Sequence, residues 1–301
     1  MASEFNDGIA FVDGAFCPVN EARIPLLDWG FLRSDACQDT VSVWGGAFFR
    51  LDDHLRRFER SFKRLRMTCP HNRHGLGELA MEAVRLTGFR EAYLQLIMTR
   101  GRPPIGSRDI RLAQNNFFLF CVPYISIATP EQQERGLHLI VSDIQRIPAT
   151  SVDPTVKTYH WLDFEMGLFQ AYDRGGDTVV LVDADDHVTE GPGFNLFAVK
   201  EGRVLTPAAG CLDGMTRDTV FELCAETNLD CGLAQLPASE LIGMDELFIS
   251  STAGGLMPIS RVDGQAIGAT AIGPVTVRLR DLYWSKRSTG WHATPIDYPN
   301  A

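Results

Sequence analysis

A lysine stands in an apolar and aromatic run near mid-chain, Asp153-Pro154-Thr155-Val156-Lys157-Thr158-Tyr159-His160-Trp161. A solvated surface lysine is the ordinary reading of such a residue. An amine whose pKa is lowered by burial or by neighbours is also a nucleophile toward carbonyl carbons. The flanking Val156, Tyr159 and Trp161 permit that burial. Downstream, Glu190 ends an apolar strand and is followed by Gly191-Pro192-Gly193. It reads either as a water-facing glutamate at a hairpin corner or as an acid that keeps a ligand nitrogen protonated. Two further stretches suit an anion. In Leu212-Asp213-Gly214-Met215-Thr216-Arg217 a loop glycine opens a helix, so free N–H groups and the positive dipole end point outward, and Thr216 adds a hydroxyl. In Ser250-Ser251-Thr252-Ala253-Gly254-Gly255 a strand ends in small side chains and close-approach glycines. Each alone is equally an ordinary helix start or turn. Together, a reactive lysine, an acid for a ring nitrogen and two phosphate cups permit a pyridoxal 5'-phosphate (PLP) site. Composition and spacing do not establish one.

The apolar pattern supplies the elements that would position these groups. Strands at 9–12 and 15–18 flank Asp13-Gly14, a strong turn signal, and Gly45-Gly46 repeats the device between 41–44 and 47–50. Asp52 and Asp53 offer an N-cap. Leu51, Leu55, Phe58, Phe62 and Leu65 then recur at helical spacing, with Arg56, Arg57, Arg60, Lys63 and Arg64 on a basic opposite face. A second helix reads at 78–87 and buried strands at 93–99 and 116–122. Beyond residue 136 come a strand at 137–142, a helix at 164–174, and a meander through 179–182, 187–190 and 195–200. Glu201-Gly202 turns into Val204 and Leu205; a helix at 216–226 and a strand at 246–250 follow. The fold class is mixed, α+β or α/β, with much antiparallel sheet. The expected division is an N-terminal α/β domain at 1–123, a linker at 124–135 with Pro130 in it, and a C-terminal cofactor-binding domain at 136–301.

The 301 residues are 45% hydrophobic and 22% charged, which supports a packed core rather than disorder. A net charge of -10 argues against nucleic acid or an anionic membrane as partner, since phosphate neutralisation needs a basic surface. No apolar run approaches the ~20 residues of a spanning helix. The first ten residues carry Glu4 and Asp7 and lack a basic, apolar leader pattern. The seven cysteines form no CxxC pair and the seven histidines no HExxH spacing. Reduced thiols of a cytoplasmic protein are expected, and no metal site.

The ordered motifs VKTYHW, VTEGPGFNLFAVKEGRVLTP, CLDGMTRDTV and LFISSTAGGLMPI resemble the fold-type IV PLP enzymes. That group holds branched-chain aminotransferases, D-amino-acid aminotransferases, aminodeoxychorismate lyases and (R)-selective amine transaminases. The likeness runs over nearly the whole chain, from FVDGAFCPVNEARIPLLDWGF to RVDGQAIG. It implies a small N-terminal α/β domain and a larger C-terminal domain with an antiparallel-rich, barrel-like sheet. It implies that Lys157 forms the imine with the cofactor and carries the 1,3-proton shift, and that Glu190 holds the pyridine nitrogen. Arg57 in HLRRFERS would bind the phosphate, with Met215 and Thr216 in one cup and Thr252 and Ala253 in the other.

Within the group, SVWGGAFFRLDDHLRRFERS, VDPTVK and STAGGLMPI are most similar to (R)-selective amine transaminases. The chain departs from them at Gln38, where a tyrosine is usual, in a position that faces substrate in the family. Arg33 and Trp161 are further candidates for that pocket. In the loop TRGRPPIGSRD, Arg102 or Arg108 could pair with a substrate carboxylate or could be a solvated loop cation. The implied activity moves an amino group from an (R)-amine or D-amino acid to a keto acid such as pyruvate. A D-amino-acid or branched-chain aminotransferase is the alternative, followed by a lyase of the aminodeoxychorismate type. A homodimer with its active site near the interface is implied. Phe31, Trp44, Phe48 and Phe49 suit such a contact or a core equally.

Overall fold

The computed structural model describes residues 5–298; residues 1–4, with Glu4 of the leader reading, and 299–301 lie outside. The chain divides into two compact units. The first holds the described residues up to Ile125, the stretch Val156–His160 and the residues from Arg287 onward; the second holds Ser126–Thr155 and Trp161–Lys286. The boundary falls inside the stretch expected as a linker. Two later segments return to the first unit, which a contiguous split at 124–135 does not provide.

The first unit is built from β1 (Ile9–Val12), β2 (Ala15–Pro18), α1 (Trp29–Arg33), β3 (Ala36–Trp44), β4 (Ala47–Phe49), α2 (Leu51–Arg64), α3 (Arg73–Thr87), β5 (Ala92–Arg102) and β6 (Gln114–Pro123). In the second follow α4 (Pro130–Arg135), β7 (Leu137–Gln145), α5 (Leu162–Asp173), β8 (Thr178–Val182), β9 (Asn195–Lys200), β10 (Arg203–Pro207), α6 (Met215–Glu226), β11 (Cys231–Ala234), β12 (Glu246–Ser251), β13 (Gly255–Val262), β14 (Gln265–Ala266) and α7 (Pro274–Ser288). The last strand, β15 (Ala293–Pro295), belongs to the first unit.

The first sheet runs β15-β4-β3-β5-β6-β1-β2, antiparallel throughout. Asp13 and Gly14, like Gly45 and Gly46, all take positive φ, the backbone that a two-residue hairpin turn of matching twist demands. Leu51, Leu55, Phe58 and Phe62 of α2 pack into one core with Cys37, Val41 and Val43 of β3. The side-chain period of two then turns Gln38, Thr40 and Ser42 to the other face. The expected Asp cap is corrected: the N-cap of α2 is Arg50, left-handed at φ 55, and Asp52 and Asp53 lie in the first turn. Arg57 is corrected too, since it is buried rather than part of a solvated basic face. Phe48 and Phe49 are core residues, whereas Phe31 is 60% exposed.

The second sheet runs β11-β10-β9-β12-β13-β7-β8, with β14 beside β13. Four of its pairings are antiparallel and three are parallel. The expected meander forms only in part: residues 187–190 turn back on β8, with Thr189 N–H donating to Leu181 O and Leu181 N–H to Glu190 O, but the run does not continue onto β9. β8 pairs in parallel with β7, joined by α5 as a βαβ unit, while β9 pairs with β10 and β12. Every residue of β8 is buried, so its apolar run carries no mark of which strand lies beside it. Phe197 and Phe248 stack across β9 and β12 at 4.9 Å and hold α6 through Phe221.

Candidate active site

In the first unit, Lys157 sits on a short strand-like return against β3. Val156 anchors it in the core of that unit. Gln38 N–H donates to the Lys157 carbonyl at 2.9 Å, and Cys37 forms an antiparallel bridge with Thr158. This register sets Lys157 opposite Gln38 and Tyr159 opposite Ala36. Residues directly opposite share one face, with Cβ atoms about 4.5–5.5 Å apart. Lys157, Tyr159, Gln38 and Thr40 therefore line the same side of β3.

That side carries a chain of neutral hydrogen bonds. Tyr159 Oη donates to Gln95 Oε1 at 3.0 Å, Gln95 Nε2 donates to Thr40 Oγ1 at 3.1 Å, and Thr40 Oγ1 donates to Gln38 Oε1 at 3.1 Å. Tyr93 Oη lies 3.3 Å from the same Thr40 hydroxyl. Burial pushes the Tyr159 and Tyr93 phenols above their ordinary value, so both stay protonated.

The opposite side of β3 carries charge. Arg57 Nε and NH2 hold the two oxygens of Asp39 at 2.8 Å each, and His54 Nδ1 lies 2.8 Å from Asp39 Oδ1. Asp39 is fully buried; burial alone would raise its pKa, but Arg57 and His54 outweigh it and hold the carboxyl well below the usual range. Burial lowers the pKa of His54 against the pull of Asp39, so the imidazole is neutral. Arg57 thus has a carboxylate partner. Arg33 is exposed and stacks 3.5 Å over the Trp29 ring. Arg102 and Arg108 are exposed at and beyond the end of β5.

In the second unit, Glu190 is buried and held from two directions. Leu212 N–H donates to Oε2 at 2.9 Å, and Arg146 NH2 lies 3.3 Å from Oε1. Arg146 also binds Asp163 at 2.7 Å and lies 4.1 Å over the Phe164 ring. Glu190 is thereby tied to the loop that opens α6. Gly214 caps α6 without a side-chain bond, and a Cβ there would stand 2.1 Å from Asn195 Oδ1. Met215 and Thr216 are buried in the first turn. Asn195 donates to Leu212 O at 2.9 Å and pairs across the sheet with Ser250. It therefore links the two sequence-predicted cups. Ser250 Oγ is buried with no hydrogen-bond partner. Beyond it, Ala253 N–H donates to Ser251 Oγ at 3.1 Å, which itself donates to Gly193 O at 2.8 Å. Thr252 sits in that turn, and Trp161 lies beside Gly193.

Sequence reasoning missed Asp39, His54, Gln95, Tyr93, Tyr159, Arg146 and Asp163. Of these, only the alternation along β3 gave a signal, since it sets Gln38 and Asp39 on opposite faces. Each unit by itself carries groups that suit PLP: the first an amine at Lys157, the second a buried carboxylate at Glu190 and a helix start without a side-chain cap, linked through Asn195 to the unpaired Ser250 hydroxyl.

Comparison with known proteins agrees with that fit. Residues 36–262 match the family model Amino-transferase class IV. The chain is 27% identical over 292 residues to the branched-chain-amino-acid aminotransferase of Pseudomonas aeruginosa PAO1, covering 94% of each. It is 26% identical over 272 residues to the D-alanine aminotransferase of Bacillus licheniformis, covering 88% of this chain and 92% of that one. Among solved structures, a T.th. branched-chain amino acid aminotransferase with pyridoxamine 5'-phosphate superposes with a TM-score of 0.90 at 26% identity, covering 97% of this chain and 100% of that one. The chain belongs to the class IV amino-transferase family and is a PLP-dependent aminotransferase.

Proposed function

We propose that the enzyme moves an amino group from an (R)-amine or D-amino acid to a keto acid such as pyruvate, with Lys157 as the reacting residue. The observation that carries Lys157 is its pairing with Gln38, which fixes the lysine on a polar face of β3 rather than leaving it on a loose surface. Bound PLP supplies an aldehyde that accepts the amino group and a ring that withdraws the electrons freed at the substrate carbon. Lys157 Nζ would take the proton from the substrate Cα and deliver it to the carbon that carries the cofactor's aldehyde, so that the substrate leaves as a carbonyl compound. Glu190, braced by Arg146 and Leu212 N–H, keeps the ring nitrogen protonated. Met215 and Thr216 at the start of α6, with Thr252 and Ala253, receive the phosphate. Arg57, already neutralised by Asp39, offers the phosphate an oriented donor rather than a bare charge. Gln38, Trp161 and the exposed Arg33, Arg102 and Arg108 face substrate, the arginines supplying partners for a carboxylate.

Lys157→Ala is expected to lower turnover by about a thousandfold and to abolish the borohydride-reducible yellow chromophore. Full turnover in that variant would end this assignment. The donor class is tested by a panel of (R)-1-phenylethylamine, D-alanine and L-leucine with keto-acid acceptors. A second reading, a branched-chain aminotransferase, is favoured by the names of the relatives above, and preference for L-leucine would select it. Pyruvate release without an acceptor would select a lyase.

Two further features support a homodimer with its active site near the interface. Leu162, Met166, Phe169 and Tyr172 form an exposed apolar stripe on α5 of the second unit. In the first unit, Ile24, Leu26, Leu27, Phe31 and Leu32 are all more than half exposed. Apolar surface gathered in this way marks association. Seven free thiols suit the reducing cytoplasm. Among the described residues, no helix is long and apolar enough to cross a membrane.

A further inference from the structure

The hydrogen-bond chain beside Lys157 runs in one direction. The Tyr159 phenol donates to Gln95 Oε1, which turns Gln95 Nε2 toward Thr40. The Thr40 hydroxyl has one proton to give after accepting from Gln95, and Gln38 Oε1 at 3.1 Å is its nearer acceptor, against Tyr93 Oη at 3.3 Å. The Gln38 carbonyl oxygen is thereby occupied. Its amide nitrogen keeps two donors with no hydrogen bond among the described residues, although the residue is only 3% exposed. Gln38 stands directly opposite Lys157, so these donors lie within a side chain's length of the amine. A donor left open beside the amine favours a ligand that brings an oxygen to it.

We propose that Gln38 Nε2 is a specificity-determining donor for the carboxylate of the keto-acid acceptor, held in donor polarity by the Tyr159–Gln95–Thr40 chain. This rests on Lys157 being the reacting amine, as proposed above. Gln38 touches substrate, whereas Tyr159, Gln95 and Thr40 are positioning residues that act through it. An acceptor substrate carries its carboxylate on the carbon next to the reacting one, within reach of a donor placed beside the lysine. A plain amine donor carries no oxygen there and gains nothing from Gln38. The two half-reactions therefore depend on Gln38 unequally.

The test titrates PLP-loaded enzyme with propionate, a carboxylate that cannot react, following the absorbance of the bound cofactor. Gln38→Leu is expected to raise the propionate Kd about tenfold or more, the worth of a hydrogen bond to a charged group. Gln38→Glu keeps the shape but loses the donors and adds repulsion, so its Kd is expected to rise at least as far. Tyr159→Phe removes the first proton of the chain and is expected to raise Kd about threefold, by letting the amide turn over. In single half-reactions, Gln38→Leu is expected to raise the KM for pyruvate by a larger factor than the KM for an amine donor. An unchanged propionate Kd in either Gln38 variant with a native circular-dichroism spectrum would overturn the proposal, as would the absence of saturable propionate binding by wild type. Failure of wild type to turn over (R)-amines and D-amino acids would instead overturn the donor class proposed above and leave the propionate result standing.

Discussion

Strand β3 turns Asp39 to one side and Gln38 and Thr40 to the other, and the two sides satisfy their polar atoms differently. On the α2 side, a carboxylate, a guanidinium and an imidazole close on one another in a fully buried cluster. On the Lys157 side, neutral groups pass hydrogen bonds from Tyr159 to Gln38 and leave an amide nitrogen at the end. A closed ion cluster in a dry interior fixes the orientation of its members, Arg57 among them. An open neutral chain costs less to bury and ends in a donor. One residue of register separates the two roles.

The contrast breaks most severely at the charged side. Asp39→Ala leaves Arg57 buried without its carboxylate and is expected to cost about 3–5 kcal/mol of stability, read as a shift in urea midpoint. A loss below about 1 kcal/mol would mean that the cluster is wet. The next effect is in pH. The folded pKa of His54 lies below the unfolded value of about 6.5, so the unfolded chain binds a proton that the folded chain does not. Stability therefore falls as pH drops below about 6.5, by at most about 1.4 kcal/mol per unit. Asp39, depressed in the fold, keeps its stabilising contribution above about pH 4 and loses it only below. His54→Gln is expected to flatten the thermal-midpoint slope just below about pH 6.5, and an unchanged slope would assign it to other groups. The smallest effect belongs to the neutral side: Tyr159→Phe is expected to cost about 1 kcal/mol, well short of Asp39→Ala. Equal losses from the two variants would erase the distinction between the faces.

Much of this architecture is readable in the chain because the signals are local. Asp13-Gly14 and Gly45-Gly46 prescribe their turns, and the four-three spacing of Leu51, Leu55, Phe58 and Phe62 places α2. Lys157 and Glu190 stand out by chemical type in apolar surroundings. What escapes the sequence depends on partners far along the chain. Helix α7 starts on Pro274, but its first turn is held by the distant Glu246, whose oxygens accept from Val275 and Thr276 N–H at 2.9 and 2.7 Å. Arg57 reads as a surface cation until Asp39, on another element, claims it. Arg146 carries no local sign that it braces Glu190. The return of Lys157 to the first unit is set by bonding to β3, not by anything in residues 153–161.

The placement of β15 has a consequence for how the protein is made. Ala293–Pro295 forms the outer strand of the first sheet beside β4, although residues 47–49 leave the ribosome some 240 residues earlier. At about 5–20 residues per second, β4 waits at least ten seconds or so for its neighbour. The sheet therefore stays open at β4 through that interval, and a substitution in 293–295 acts on a strand pairing whose other half was made some 240 residues before it.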